Sequence, residues 1–308
     1  GNKRQAPEAI KLARQIEATY PDAQNLHEVR GFIVRMAATL AEQTAENQWW
    51  QMVDDTANRM LQGDPQPEVR TFARYFQVKK TIATSDLDGE AVDKAINNYV
   101  ESFKGTPAAA QAMIMGITLA IENQRRDLVE PMADTLEEKF LTRPGVAAFL
   151  KQQLKRDISF VGEPFEATLT RLDGTKLNLP EDLEGKVVVI DFWATWCGPC
   201  IGSLPHMKEF YAEYKDKGVE IVGISLDRPG KIDHLKEFAK ERGLDWIHTY
   251  SGEFRHDPTA RRYGVSGIPS VWVLDKQGRI YSENAGGREG EVVDEILAGR
   301  TATGAAGK

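Results

Sequence analysis

Two cysteines occur in the 308 residues, and both fall in Trp196-Cys197-Gly198-Pro199-Cys200. They follow directly on the strand-like run Val187-Val188-Val189-Ile190-Asp191-Phe192-Trp193. A thiol pair at this spacing, where a buried strand hands over to a helix, can close and reopen as a disulfide. The chemistry it predicts is electron transfer between thiols.

A free thiol has a pKa near ~8.5 and is mostly protonated at neutral pH, whereas the thiolate is the nucleophile. Pro199 suits the first turn of a helix, because its missing N–H would be unpaired there in any case. A helix starting around Cys197 turns unpaired N–H groups and the positive end of its dipole toward that sulfur, which favours the anion. Cys200 lies one turn deeper and is expected to be shielded. The asymmetry assigns attack on a partner's disulfide to Cys197 and resolution of the mixed disulfide to Cys200.

Resolution needs a base close to Cys200, and Asp191 is the candidate. It is the only charged residue in a run that is apolar on both faces, the pattern of a central strand covered on both sides. Desolvation raises a carboxyl pKa and makes it a proton acceptor near neutrality. The plainer alternative is a strand-end carboxylate with ordinary hydrogen bonds. Isolated buried acids are costly and cluster at working sites, which favours the functional reading.

A metal centre is not expected. The five histidines, His27, His206, His234, His248 and His256, are scattered, and a zinc site needs about four converging ligands. His206 follows Cys200 by six residues, off that cysteine's helical face. No cofactor is expected beyond the redox-active Cys197-Cys200 pair.

The segment Asp191 to Cys200, with Phe192, Trp193, Ala194 and Thr195 between, resembles the active-site segment of the thioredoxin superfamily. Pro205 stands at the offset of that family's helix-kinking proline. Gly267-Ile268-Pro269-Ser270 precedes the strand-like Val271-Trp272-Val273-Leu274. The resemblance implies that Pro269 is cis and lies against the cysteine pair, and that backbone at Ile268 pairs with an extended substrate segment. It also implies that Trp196, Gly198 and Pro199, with Ile268 and Pro269, form the substrate surface. The Gly-Pro dipeptide is that of thioredoxin, whose potential near ~-270 mV marks a reductant beside DsbA at ~-120 mV.

The elements around the motif narrow the likeness. Gly162-Glu163-Pro164-Phe165 leads into Ala167 to Leu179, which alternates and turns at Asp173-Gly174 as a hairpin does. An amphipathic stretch, Ile232 to Arg242, lies between Ile224-Ser225-Leu226-Asp227 and the Ile-Pro element. These features resemble the TlpA/ResA-like branch, the membrane-associated thiol-disulfide oxidoreductases of bacteria. Some members carry a glutamate three residues after the second cysteine, where this chain has Ser203, so their acid-base details do not transfer. A hairpin from Val271–Leu274 to Arg279–Ser282 and a closing helix over Glu291 to Leu297 complete the expected fold.

Residues 1–155 read as all-helical. Apolar residues recur at helical spacing over Ala9–Tyr20, Leu26–Leu40, Trp49–Leu61, Val69–Ile82, Ala91–Phe103, Ala108–Ile121, Leu128–Phe140 and Val146–Leu154. Turn and cap chemistry separates them at Pro21-Asp22, Gly63-Asp64-Pro65, Asp86-Leu87-Asp88-Gly89, Gly105-Thr106-Pro107 and Arg143-Pro144-Gly145. An antiparallel bundle or a short helical-hairpin array is expected, with no readable repeat consensus. Trp49-Trp50 and Tyr75-Phe76 are the candidates for a binding surface there, although aromatics on amphipathic helices more often belong to the core. Met52, Met60, Met113, Met115 and Met132 read as core filling.

The predicted architecture is therefore an all-helical domain, 1–155, followed by a thioredoxin-like α/β/α sandwich with a central mixed sheet, 156–308, frayed from Thr301 to Lys308. The helical domain is expected to bind a partner or to dimerise. Net charge is -7, with 19 basic and 21 acidic residues up to 155 and 20 against 25 beyond. Neither half carries the basic excess that nucleic-acid binding needs, which excludes that class. No run approaches the ~18 to 20 apolar residues needed to cross a bilayer, which predicts a soluble chain. The start, Gly1-Asn2-Lys3-Arg4, reads as what remains after removal of a leader. With cysteine scarcity and the resemblance, this places the protein outside the cytosol, with protein thiol clients and a membrane thiol electron donor.

Two other function classes compete. Peroxiredoxins of the AhpC/TSA type need a hydroxyl three residues before the reactive cysteine, where this chain has Ala194, and Thr195 is one residue too close. The third class makes the helical domain a docking module with an accessory thioredoxin fold.

Overall fold

A computed structural model of the chain describes residues 5–62 and 65–301. It divides into two compact units, Gly1–Phe140 and Leu141–Lys308. The expected turn residues Gly63 and Asp64, the first four residues and the tail 302–308 lie outside the described residues.

The first unit is helical: α1 (Gln5–Thr19), α2 (Leu26–Thr44), α3 (Asn47–Met60), α4 (Pro67–Thr84), α5 (Gly89–Glu101), α6 (Ala109–Glu122) and α7 (Arg126–Phe140). Local chemistry sets the starts. Asp88 caps α5 by accepting the Ala91 N–H at 2.8 Å, and Pro67 opens α4. Consecutive helices pack pairwise, and α4 also touches α2 and α6. Small residues permit this closeness: Ala37, Ala57 and Ala73 are fully buried, and a Cβ on Gly116 would lie 2.4 Å from Val100 of α5. Trp50, Tyr75 and Phe76 belong to the core, while Trp49 is half-buried. The aromatic pairs are therefore mostly packing, as their helical spacing indicated.

The second unit opens with α8 (Val146–Gln153), followed by β1 (Ala167–Thr170), β2 (Lys176–Leu179), β3 (Val187–Trp193), α9 (Gly198–Tyr214), β4 (Val219–Ser225) and α10 (Ile232–Arg242). It continues with β5 (Ile247–Tyr250), α11 (Pro258–Arg262), β6 (Ser270–Leu274), β7 (Ile280–Ser282) and α12 (Glu289–Leu297). The second compact unit starts at Leu141, ahead of the boundary expected near 155, and so includes α8. That helix buries Val146, Ala147 and Leu150 and packs on α11, and the Gly145 N–H donates to Arg261 O at 3.1 Å.

Five strands form one mixed sheet in the order β5-β4-β3-β6-β7. β3, β4 and β5 run parallel, and β6 and β7 are antiparallel to their neighbours. β1 and β2 form a separate hairpin, closed where Asp173 Oδ1 accepts the Thr175 N–H at 2.9 Å. All seven residues of β3 are buried, as a central strand covered on both faces requires. Strand alternation sends Val187, Val189 and Trp193 into a core shared with α9, α10 and α12. Phe192 faces the opposite side, against Trp272, with Phe165 stacked on Tyr263 behind it. Asp191 has the parity of Val189 and Trp193 and so points to the α9 side. Among the described residues no helix is long and apolar enough to cross a membrane.

Candidate active site

The site sits where β3 ends and α9 begins. Cys197 occupies the cap of α9 in an extended conformation, with φ -86° and ψ 102°. Its Sγ accepts the Cys200 N–H at 3.3 Å, and its carbonyl accepts the Ile201 N–H at 3.0 Å. The two cysteines form a disulfide with Cα atoms 5.3 Å apart. Both are buried, Cys197 at 5% and Cys200 at 2% exposure. The expected contrast in shielding is therefore small in this oxidised state, and the difference between the two sulfurs lies in their position on the helix. Pro199 lies in the first turn and Pro205 inside α9. Ser203 is occupied locally, donating its hydroxyl to Cys200 O at 2.8 Å.

Asp191 is 6% exposed, at the centre of the sheet between Gly223 of β4 and Val271 of β6. Its carboxyl is pushed up to about 7, first by burial and then by the negative charge of Glu289. Glu289 went unnoticed in the sequence. It is the first residue of α12, 2% exposed, and its Oε1 accepts the Gly287 N–H at 3.0 Å. Its Oε2 lies 2.9 Å from Nε2 of His206, whose side chain is 52% exposed on α9. The closing helix starts two residues earlier than expected. The only sequence signal for Glu289 is an acid in a helical first turn after Gly286-Gly287, which elsewhere marks ordinary surface. His206 is thus the partner of a carboxylate. Among the described residues no three His, Cys, Asp or Glu side chains are grouped to hold a metal ion.

The remaining candidates surround the disulfide. Trp196, Gly198 and Pro199 are exposed, forming a rim beside the buried sulfurs. The Ile268–Pro269 bond is cis, and Ile268 packs against the core cluster that contains Cys197 and Cys200. The β3–β6 ladder ends at the Phe192–Ser270 pair, so Ile268 lies beyond it, and Pro269 is exposed. A second cis bond, Leu179–Pro180, carried no sequence signal.

The second unit is similar to known redox proteins. A family model described as Redoxin matches residues 160–297. The thiol-disulfide oxidoreductase ResA of Bacillus thuringiensis subsp. konkukian is 34% identical over 129 residues, covering 42% of this chain and 71% of that protein. ResA of Oceanobacillus iheyensis is 40% identical over 101 residues, 32% of this chain and 49% of its own. A crystal structure of a putative thiol:disulfide interchange protein DsbE from Chlorobium tepidum matches at 28% identity with a TM-score of 0.40, over 44% of this chain and 97% of that one.

Proposed function

The chain belongs to the ResA-like thiol-disulfide oxidoreductases of the thioredoxin superfamily, and from that premise we propose that it reduces protein disulfides outside the cytosol. The observation that carries the reading is the Cys197 sulfur at the cap of α9, accepting the Cys200 N–H. A thiolate there is favoured by the same donor and by the helix dipole.

In this reading the Cys197 thiolate attacks one sulfur of a client disulfide. The S–S bond breaks, the client's other sulfur leaves as a thiolate and takes a proton from solvent, and a mixed disulfide remains. Cys200 then gives its proton to Asp191 and attacks Cys197 Sγ, closing the intramolecular disulfide and expelling the client's second thiolate. Two electrons pass from the dithiol to the client, with no further cofactor. Burial of Asp191 suits it to accept a proton near neutrality. Trp196, Gly198, Pro199, Ile268 and Pro269 hold the client segment against the sulfurs.

Scarcity of cysteine outside the motif suits an oxidising compartment. A reductant working there has to be re-reduced, so a membrane thiol donor belongs to the proposal. The helical unit then governs partner choice. The peroxidase alternative lacks its hydroxyl, because Ala194 stands three residues before Cys197. Dithiothreitol-coupled reduction of insulin disulfides, measured beside hydrogen peroxide consumption, tests the assignment. Insulin reduction with background peroxide turnover is expected, and the reverse overturns it.

A further inference from the structure

Beside Cys197 the surface carries an aromatic and cationic platform that starts at Trp196 and extends past the residues assigned to hold the client at the sulfurs. Trp196 is 54% exposed and meets the Phe254 ring edge-on, centroid to centroid 5.7 Å. Two guanidinium groups lie by the same ring, Arg228 at 5.5 Å and Arg255 at 5.3 Å from its centroid. Cations are drawn to an aromatic face by its quadrupole. Both arginines are exposed, and neither makes an ion pair with another described residue. Glu253 is the exposed carboxylate of the same loop.

The platform is held in place from below. Buried Asp227 accepts the Thr195 N–H at 3.1 Å and the Thr195 hydroxyl at 2.6 Å, and also the Ser225 hydroxyl at 2.8 Å. The residue before Arg228 is thereby tied to the residue before Trp196. The Tyr250 hydroxyl donates to Arg228 O at 2.6 Å and accepts the Lys231 N–H at 3.1 Å. Asp257 closes the second loop, accepting from the Ser251 hydroxyl at 2.7 Å and the Ala260 N–H at 2.8 Å. Phe254 itself adopts φ 51°, a left-handed conformation uncommon for a bulky residue, of the kind retained at working surfaces.

We propose that Trp196, Phe254, Arg228 and Arg255 form a client-recognition platform that selects disulfides flanked by acidic side chains. The inference rests on the reading of Cys197 as the residue that attacks client disulfides, and it names which clients are preferred. A carboxylate beside a client cysteine pairs with a guanidinium, while the adjoining client backbone and apolar atoms lie on the two rings. The whole chain carries -7 and by itself would repel such a client. A preference for acidic flanks therefore has to come from this local pair of cations.

Pre-reduced full-length protein is mixed in single turnover with three disulfides: a peptide dimer with Asp on both sides of its cysteine, the same dimer with Lys, and neutral bis(2-hydroxyethyl) disulfide. Each rate is divided by that of dithiothreitol on the same disulfide, which removes the effect of the flanks on the client thiol. At ~10 mM salt the normalised rate for the Asp dimer is expected to be about tenfold above that for the Lys dimer. The ratio falls toward one at ~0.5 M salt, as screening shortens the reach of the charges. Arg228→Gln/Arg255→Gln brings the low-salt ratio to one or below. A wild-type ratio of one or less, or a tenfold ratio that survives the double substitution, overturns the platform while reduction of the neutral disulfide leaves the thiol reading intact. Failure of the wild type to reduce even the neutral disulfide overturns both.

Discussion

The amide N–H of Cys200 points at Sγ of Cys197 across 3.3 Å, so a sulfur fills the cap position of α9 that serine, threonine or aspartate more often takes. The geometry gives the two cysteines different electrostatic surroundings although both are buried. One sulfur lies at the positive end of the helix, and the other lies within its first turn.

From that relationship the Cys197 thiol of the reduced protein should titrate below the ordinary ~8.5, with Cys200 higher. The pH dependence of iodoacetamide alkylation, followed by mass spectrometry at each cysteine, measures both. A Cys197 pKa at or above ~8.5 contradicts the role of the cap.

Asp191→Asn should slow resolution on the order of a hundredfold and leave attack within about twofold. An aromatic disulfide substrate separates the steps, because the first thiolate released reports attack and the second reports resolution. Equal rates for variant and wild type between pH ~6 and ~9 would make Asp191 structural.

The same substitution should stabilise the protein in a pH-dependent way. The folded Asp191 carboxyl is raised from 3.8 to about 7, so its contribution is fully present below pH ~4 and lost as pH rises through about 7. The variant's advantage should grow over that window to at most on the order of 4 kcal/mol, at 1.36 kcal/mol per unit. Buried His248 acts in the opposite sense. Its pKa is lowered from 6.5 to about 4 by burial, so stability is lost as pH falls over that range. Urea unfolding of wild type and variant at matched pH cancels the histidine. A constant difference from pH 4 to 8 would contradict the assignment.

Glu289→Gln should shift the pH midpoint of resolution downward, because it removes the charge that adds to the effect of burial on Asp191. The aromatic-disulfide assay reads this midpoint directly. A midpoint that stays in place or rises would show that Glu289 serves only to hold His206.

Much of the catalytic unit was legible because its signals are local. An apolar seven-residue run with one acid marks β3, Asp173-Gly174 marks the hairpin turn, and the amphipathic stretch Ile232–Arg242 coincides with α10. What stayed hidden depends on distant contacts. His206 and Glu289 meet across 83 residues of chain, and neither has a neighbour that announces the other. The apolar face of α8 has the same spacing whichever unit it joins, and its packing on α11 is a contact that the sequence does not announce. The Trp196–Phe254 contact likewise needs a left-handed residue that no glycine signalled.

The allegiance of α8 is itself testable. Residues 141–308 should fold cooperatively and reduce a small disulfide at close to the full-length rate, whereas 156–308 should melt several degrees lower. Removing α8 uncovers the surface at Gly264, where a Cβ in place of the glycine hydrogen would lie 3.2 Å from Ala147. Circular dichroism melts of the two fragments compare them. Equal melting temperatures would return the boundary to about 155.

Mixed-disulfide trapping tests the division of labour between the two sulfurs most directly. Reduced Cys200→Ser protein, mixed with a disulfide-bonded client and analysed by non-reducing peptide mapping, should accumulate a covalent adduct through Cys197, because attack survives when resolution does not. Cys197→Ser should form little adduct and show no turnover. Efficient trapping through Cys200 in the Cys197→Ser protein would contradict the account.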